Sequence, residues 1–263
     1  MRLDGKLAIV AAEPGSGRRP PAGSPPKGPR SSSPVVGPNR STRSRPRSAA
    51  GRSPVTRQTK RIVRAAVEAA RESFGGLDVV VASAGTGFFG SVGELDDHGW
   101  QRTLDVNVTG AFRLVRAALP SLIERGGGSI VLVSSTAAFV SGTENAAYET
   151  SKAAMIGLAR SLAVDYGPLG VRANAVCPGW VVTPLGDYSV QSLVEKWGIT
   201  REDAYRHVTK HTPLQRPATA EEIASCCLFL ACDDSAIVTG TALIADCGLM
   251  SIDPTGVAWT EPP

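Results

Sequence analysis

Five short apolar runs, each bounded by longer amphipathic stretches, constrain what this chain can become. They fall at 6–10, 77–82, 129–135, 172–177 and 242–246. Runs such as Ile130-Val131-Leu132-Val133 are apolar at every position. They have no solvent side, so they read as strands buried on both faces. Between them, apolar residues recur at helical spacing over 60–74, 99–124, 144–166 and 219–231. Gly75-Gly76 ends the first of these helices, and Thr219-Ala220-Glu221-Glu222 opens the last as a capping box. Strands alternating with helices predict an α/β protein, a doubly wound parallel sheet in three αβα layers.

The 263 residues, 42% of them hydrophobic, suffice for one domain spanning 1–263 with a substantial core. There is no run of eighteen apolar residues and no secretory apolar segment, so neither a membrane span nor a membrane partner is expected. The cysteines are Cys177, Cys226, Cys227, Cys232 and Cys247, with no Cys-x-x-Cys pair. Thiols in apolar helices act as small hydrophobes, which predicts a reducing, cytoplasmic setting. His207 and His211 are four residues apart, but no third ligand of suitable spacing accompanies them. They read as solvated, and no metal is expected.

The chemistry lies in the middle of the chain. The strand at 129–135 ends in Ser134-Ser135, and thirteen residues after Ser135 comes Tyr148-Glu149-Thr150-Ser151-Lys152. One helical turn separates Tyr148 from Lys152, so phenol and ammonium share a face. Alone, a Tyr-x-x-x-Lys pattern is as well explained as a surface pair. A hydroxyl at the carboxyl end of a strand, where open α/β sheets hold ligands, argues for a site. A fixed cation beside a phenol is expected to lower its pKa, suiting it to exchange a proton with an alcohol or carbonyl.

Further residues complete a pattern. Asn107 stands in Leu104-Asp105-Val106-Asn107-Val108-Thr109-Gly110, inside a helical run. Ala82-Ser83-Ala84-Gly85 closes one strand, and Pro178-Gly179-Trp180-Val181-Val182-Thr183 follows another. Together, from about Ile62 to Cys247, these resemble the short-chain dehydrogenase/reductase family. The likeness is to its simple single-domain branch, the 3-oxoacyl-ACP reductase-like enzymes. The resemblance implies a Rossmann-like domain that moves a hydride between NAD or NADP and a small-molecule secondary alcohol or ketone. It implies Tyr148 as general acid/base, with Lys152 lowering its pKa and holding the nicotinamide ribose. Ser135 would orient the substrate oxygen. Asn107 would kink its helix and hold a water in a proton relay through Lys152. Ser83, Ala84 and Gly85 would border the adenosine, with Ala82 and Ser83 replacing two asparagines whose sheet-bracing bonds are expected to be lost. Pro178, Gly179, Val181 and Thr183 would hold the carboxamide. The stretch 184–217 would be a flap over the substrate. The long helices over 99–124 and 144–166 would join a homodimer or homotetramer, and the tail with Trp259 could pack on another subunit.

Residues 11–55 break this pattern. From Pro14 to Pro54 there are ten of the nineteen prolines and no Leu, Ile, Met or aromatic residue. Residues 11–60 carry eleven Lys or Arg against one acid, Glu13. The rest of the chain carries seventeen basic and twenty-three acidic residues, so the net +4 arises in this one segment. The mildly acidic remainder gives no reason to expect nucleic acid, and a basic tail without aromatics would bind it only nonspecifically. Such a segment buries too little apolar surface to offset ordering entropy, which predicts disorder. The family would place its glycine turn, second and third strands and their helices here. The chain has Pro14-Gly15-Ser16-Gly17-Arg18, with the wrong glycine spacing for a phosphate turn.

Back-translated with G or C at free wobble positions and read one nucleotide earlier, Pro21 to Pro34 becomes a helix end followed by a valine-rich strand. A compensated frameshift, restored near Val55-Thr56, explains the segment; a natural Pro/Arg/Ser-rich insertion is the alternative. The back-read frame has basic residues where the second strand would end, which favours NADP. Two function classes follow: an NAD(P)-dependent oxidoreductase, or a catalytically impaired relative with a damaged dinucleotide site.

Overall fold

In a computed structural model, the described residues are 6, 8–11, 61, 64–65, 67–73 and 75–253. They form five parallel strands: β1 (Ala8–Ala11), β2 (Val79–Ala82), β3 (Gly128–Val133), β4 (Val171–Pro178) and β5 (Ala242–Ala245). The strands lie side by side in chain order. Among the described residues β1 pairs with β2 alone, in the register Ala8↔Val79 to Ala11↔Ala82. The expectations for residues 12–55, disorder included, and for the tail with Trp259 lie outside the described residues.

Helical residues 67–73 precede β2. Between β2 and β3 come α1 (Asp97–Leu104), a π-helical turn (Asp105–Gly110) and α2 (Ala111–Glu124). Then follow α3 (Ala146–Tyr166), α4 (Pro184–Trp197), α5 (Arg201–Thr209) and α6 (Ala220–Ala231). The capping box of α6 is present, with Thr219 and Glu222 bonding reciprocally. The stretch 184–217, expected as a flap, contains two helices, because Gly198, in the left-handed region at φ 63°, ends α4 and Thr200 caps α5.

Strand side chains alternate between two cores. Val80, Ala82, Ile130, Leu132, Ala173 and Ala175 face Leu114, Val115 and Leu122 of α2 and Met155, Ile156 and Ala159 of α3. Val79, Val81, Val131 and Val176 face Cys227, Leu230 and Ala231 of α6. That two-sided burial is why the runs are apolar at every position. The turns feeding β3 and β4 touch backbone to backbone. A Cβ at Gly127, where φ is +134°, would fall 2.4 Å from the Gly170 carbonyl oxygen. Only glycine fits there.

Candidate active site

The carboxyl ends of β2, β3 and β4 share one edge of the parallel sheet, and the site is built there. Beyond β3, the Ser134 hydroxyl donates to the Lys152 carbonyl (2.7 Å), tying the strand end to α3. Ser135 caps a short 3₁₀ turn, accepting the Ala137 N–H at 3.1 Å. It also hydrogen-bonds the phenol of half-buried Tyr148 in the first turn of α3. One turn on, Lys152 is buried; its ammonium donates to the Val133 carbonyl (2.9 Å) and lies 5.4 Å from the Tyr148 ring centroid.

Asn107 sits in the π turn and is fully buried. Its Oδ1 accepts the Thr86 N–H (2.8 Å), and its Nδ2 donates to the Thr86 carbonyl (2.9 Å) and Ser151 Oγ (2.8 Å). It therefore joins the loop after β2 to the face of α3 that carries Tyr148 and Lys152. Gly85 closes the ring, since a Cβ there would stand 3.3 Å from Lys152 Nζ and 3.7 Å from Asn107 Oδ1. Ser135, Tyr148, Lys152, Asn107 and Gly85 are thus brought together from four separate elements.

Two expectations need correction. Burial, the dominant cause, raises the Tyr148 pKa, with the Ser135 hydrogen bond opposing it. Lys152 lies over the ring and is turned to a main-chain carbonyl, so it does not lower the phenol. Burial instead brings Lys152 itself down from 10.5 to about 8. Secondly, bracing after β2 is not wholly lost. Ser83 Oγ donates to the Ala11 carbonyl at 3.1 Å, and the N–H groups of Ser83 and Ala84 donate to the same oxygen at 2.9 and 2.8 Å. A serine suffices because the ends of β1 and β2 are already adjacent.

The segment 178–183 leaves β4 at the same edge of the sheet. Pro178 is the last residue of β4, and a Cβ at Gly179 would meet Asp246 at 3.0 Å. The Val181 carbonyl accepts from the Tyr205 hydroxyl (3.3 Å). The Thr183 hydroxyl caps α4, accepting the Gly186 N–H at 3.2 Å. Tyr188 of α4 stacks on Phe89 with centroids 5.8 Å apart, and Phe89 lies 6.5 Å from the Tyr148 ring. The sequence reading missed Phe89. The pair Phe88-Phe89, exposed to no apolar run and placed just beyond Ala84-Gly85, was the available signal.

The histidines do not converge. His207 packs edge-on against Trp197 at 4.7 Å. Among the described residues no cluster could hold a metal ion, and no helix is long and apolar enough to cross a membrane.

Comparison with known proteins extends this picture. A family profile described as Enoyl-(Acyl carrier protein) reductase matches residues 54–250. The protein MoaE of Klebsiella aerogenes is 46% identical over 159 residues, which are 60% of this chain and 62% of MoaE. The ligand-free aldohexose dehydrogenase of Thermoplasma acidophilum superposes with a TM-score of 0.71 at 34% identity, over 74% of this chain and 76% of that one. A variant of actinorhodin polyketide ketoreductase with NADPH superposes with a TM-score of 0.69 at 32% identity, over 73% and 75%. With its five-stranded parallel sheet and a profile match over most of its length, the chain belongs to the short-chain dehydrogenase/reductase family of oxidoreductases.

Proposed function

We propose that this chain exchanges a hydride between a nicotinamide dinucleotide and a secondary alcohol or ketone, with Tyr148 as general acid/base. The observation that carries the reading is the convergence of Ser135, Tyr148, Lys152 and Asn107 at one edge of the sheet. A dinucleotide fits the residues beside it. Gly85 lets its loop lie close to Lys152 and Asn107, and Gly179 lets the turn after β4 lie against Asp246, so small residues bring main chain to both sides of the site. Ser83, Ala84 and Gly85 would border the adenosine half, Tyr148 and Lys152 the ribose, and the main chain of Pro178, Gly179, Val181 and Thr183 the carboxamide, the Thr183 hydroxyl being engaged in capping α4. When bound, the nicotinamide supplies the two-electron donor or acceptor.

The protein's own part is the proton. Tyr148 Oη gives it to the carbonyl oxygen in reduction and takes it in oxidation. Ser135 donates a hydrogen bond to that same oxygen and fixes its direction. Burial brings the Lys152 pKa down to about 8, and its ammonium, held by the Val133 carbonyl, serves to anchor the ribose. Asn107 keeps the loop and α3 in register, and the π turn around it frees main-chain carbonyl capacity for a relay water. NADP is the favoured cofactor on the back-read frame. The ketoreductase with NADPH is in keeping with that choice. The working unit is a cytoplasmic homodimer or homotetramer joined through α2 and α3.

A second reading is a catalytically impaired relative. The family profile begins to match only at residue 54, so the segment where a phosphate-binding turn belongs is unmatched. The test is oxidation of NADPH and NADH with a panel of ketones, in the parent and in Tyr148→Phe. Loss of turnover in the variant supports the assignment. Parental turnover in Tyr148→Phe overturns it, and a parent that binds but never turns over selects the second reading.

A further inference from the structure

Thr86 lies between Gly85 and Gly87, and glycine on both sides gives its peptide groups little conformational preference of their own. Its position is set from outside. Asn107 grips both polar groups of the Thr86 main chain, accepting the N–H at Oδ1 (2.8 Å) and donating from Nδ2 to the carbonyl (2.9 Å). The loop held in this way packs on the tyrosine and the lysine. A Cβ at Gly85 would stand 3.3 Å from Lys152 Nζ, and one at Gly87 would stand 3.3 Å from Tyr148 Cδ2. Where Thr86 sits therefore decides what lies against the phenol ring and the ammonium.

Asn107 Nδ2 has a second hydrogen, which goes to Ser151 Oγ at 2.8 Å. Ser151 donates its own hydrogen to the Tyr148 carbonyl at 2.7 Å. A serine that bonds back to its own helix is ordinary. Here the same hydroxyl also receives a bond from another element, and both side chains are fully buried. Because the Ser151 hydrogen is committed to Tyr148, its oxygen can only accept, so it admits Asn107 Nδ2 and rejects Oδ1. A flipped amide would set oxygen against oxygen at Ser151 and N–H against N–H at Thr86. Resting on the oxidoreductase reading above, we propose that Ser151 is a positioning residue. Its hydroxyl fixes the Asn107 amide, and through that amide it holds the loop at 85–87 against the Tyr148 ring. Without the hydroxyl a buried Nδ2 hydrogen is left unmet, and the clamp on Thr86 loosens.

The experiment compares the full-length parent with Ser151→Ala, Asn107→Ala and the double variant. Alanine suits a helix interior, so Ser151→Ala keeps α3 intact. Amide exchange at Thr86, and at Ile130 in β3, is followed without ligand. Then kcat and KM are measured for NADPH-dependent reduction of 2-butanone. Ser151→Ala speeds exchange at Thr86 by roughly tenfold, the worth of one buried bond, and leaves Ile130 unchanged. Its kcat falls by roughly tenfold while KM for 2-butanone stays within about twofold, because orientation is lost and not binding. The double variant is no worse than Asn107→Ala in either measure, since Ser151 acts through Asn107. Unchanged exchange at Thr86, equal acceleration at Ile130, a loss carried by KM, an unchanged kcat, or additive effects in the double variant each overturn the proposal. Should Asn107→Ala not fold, Ser151→Ala decides alone by the other outcomes. A parent without turnover counts against the oxidoreductase reading instead. Exchange at Thr86 then decides the role of Ser151, and a rate equal to the parent's in Ser151→Ala overturns it.

Discussion

The two halves of the site are held in different ways. On the side proposed as catalytic, Ser134, Lys152 and Asn107 make short side-chain bonds that join β3, α3, the π turn and the loop after β2. On the side proposed to take the dinucleotide, the described contacts are mostly main-chain: the Ala11 carbonyl, the Pro178–Gly179 turn and the Val181 carbonyl. Side-chain chemistry is written residue by residue and survives in the sequence. A main-chain cradle depends on glycine spacing and backbone path, and the spacing at Gly15 and Gly17 is wrong. One half can therefore be intact in a chain whose other half is damaged.

The largest expected effect sits on the catalytic side. Tyr148→Phe lowers turnover by about a thousandfold or more while weakening NADPH binding by no more than about tenfold, the worth of one hydroxyl at the ribose, as read by stopped-flow and fluorescence titration. A matching loss of NADPH affinity would mean that the halves are not separable. Next is repair of the other half. Restoring the alternative frame across residues 11–55 tightens NADPH binding by roughly a thousandfold, the worth of two or three charge-assisted bonds at about 1.4 kcal/mol per decade. Micromolar binding by the chain as it stands would show that its own segment substitutes for the lost turn.

A smaller effect tests the buried lysine. Its folded pKa of about 8 lies below its ordinary 10.5, so the unfolded chain binds more protons between those values. The Lys152 contribution is unfavourable below pH 8, and stability rises from there toward pH 10.5. Lys152→Met removes this slope. Urea unfolding at pH 7.5 and pH 10 should show the parent gaining up to about 3 kcal/mol relative to the variant at the higher pH. A difference independent of pH would place the lysine in solvent. The smallest effect concerns Thr183, whose hydroxyl is spent on capping α4. Thr183→Ala costs about 1 kcal/mol of stability in urea unfolding, with or without cofactor. A loss seen only in NADPH affinity would return the hydroxyl to the carboxamide.

The strands were legible because two-sided burial leaves an unbroken apolar run, as at Val79–Ala82. The closeness of Tyr148 and Lys152 was legible because helix periodicity puts them one turn apart. The π turn was not legible from periodicity. Gly99, Thr103, Asn107, Ala111, Leu114, Ala118 and Leu122 are all buried and follow helical spacing without interruption. Only the resemblance suggested a kink at Asn107. Phe89 lies in a loop, where no period marks an inward side chain, so only the aromatic pair Phe88-Phe89 signalled it. The pKa direction of Tyr148 was misjudged for a related reason. Spacing shows that a lysine is near, but not that its ammonium is turned to the Val133 carbonyl.

Three donors converge on the carbonyl of Ala11, from Ser83 Oγ, Ser83 N and Ala84 N. Two of these are amides whose exchange with deuterated solvent can be followed singly. They belong to the loop after β2 but are protected only while β1 stays docked. The Ser83 and Ala84 amides thus form a built-in reporter of strand docking. Their exchange reads the integrity of the first strand without cofactor, substrate or catalysis, and it can be compared directly between the chain as it stands and any chain with residues 12–55 exchanged.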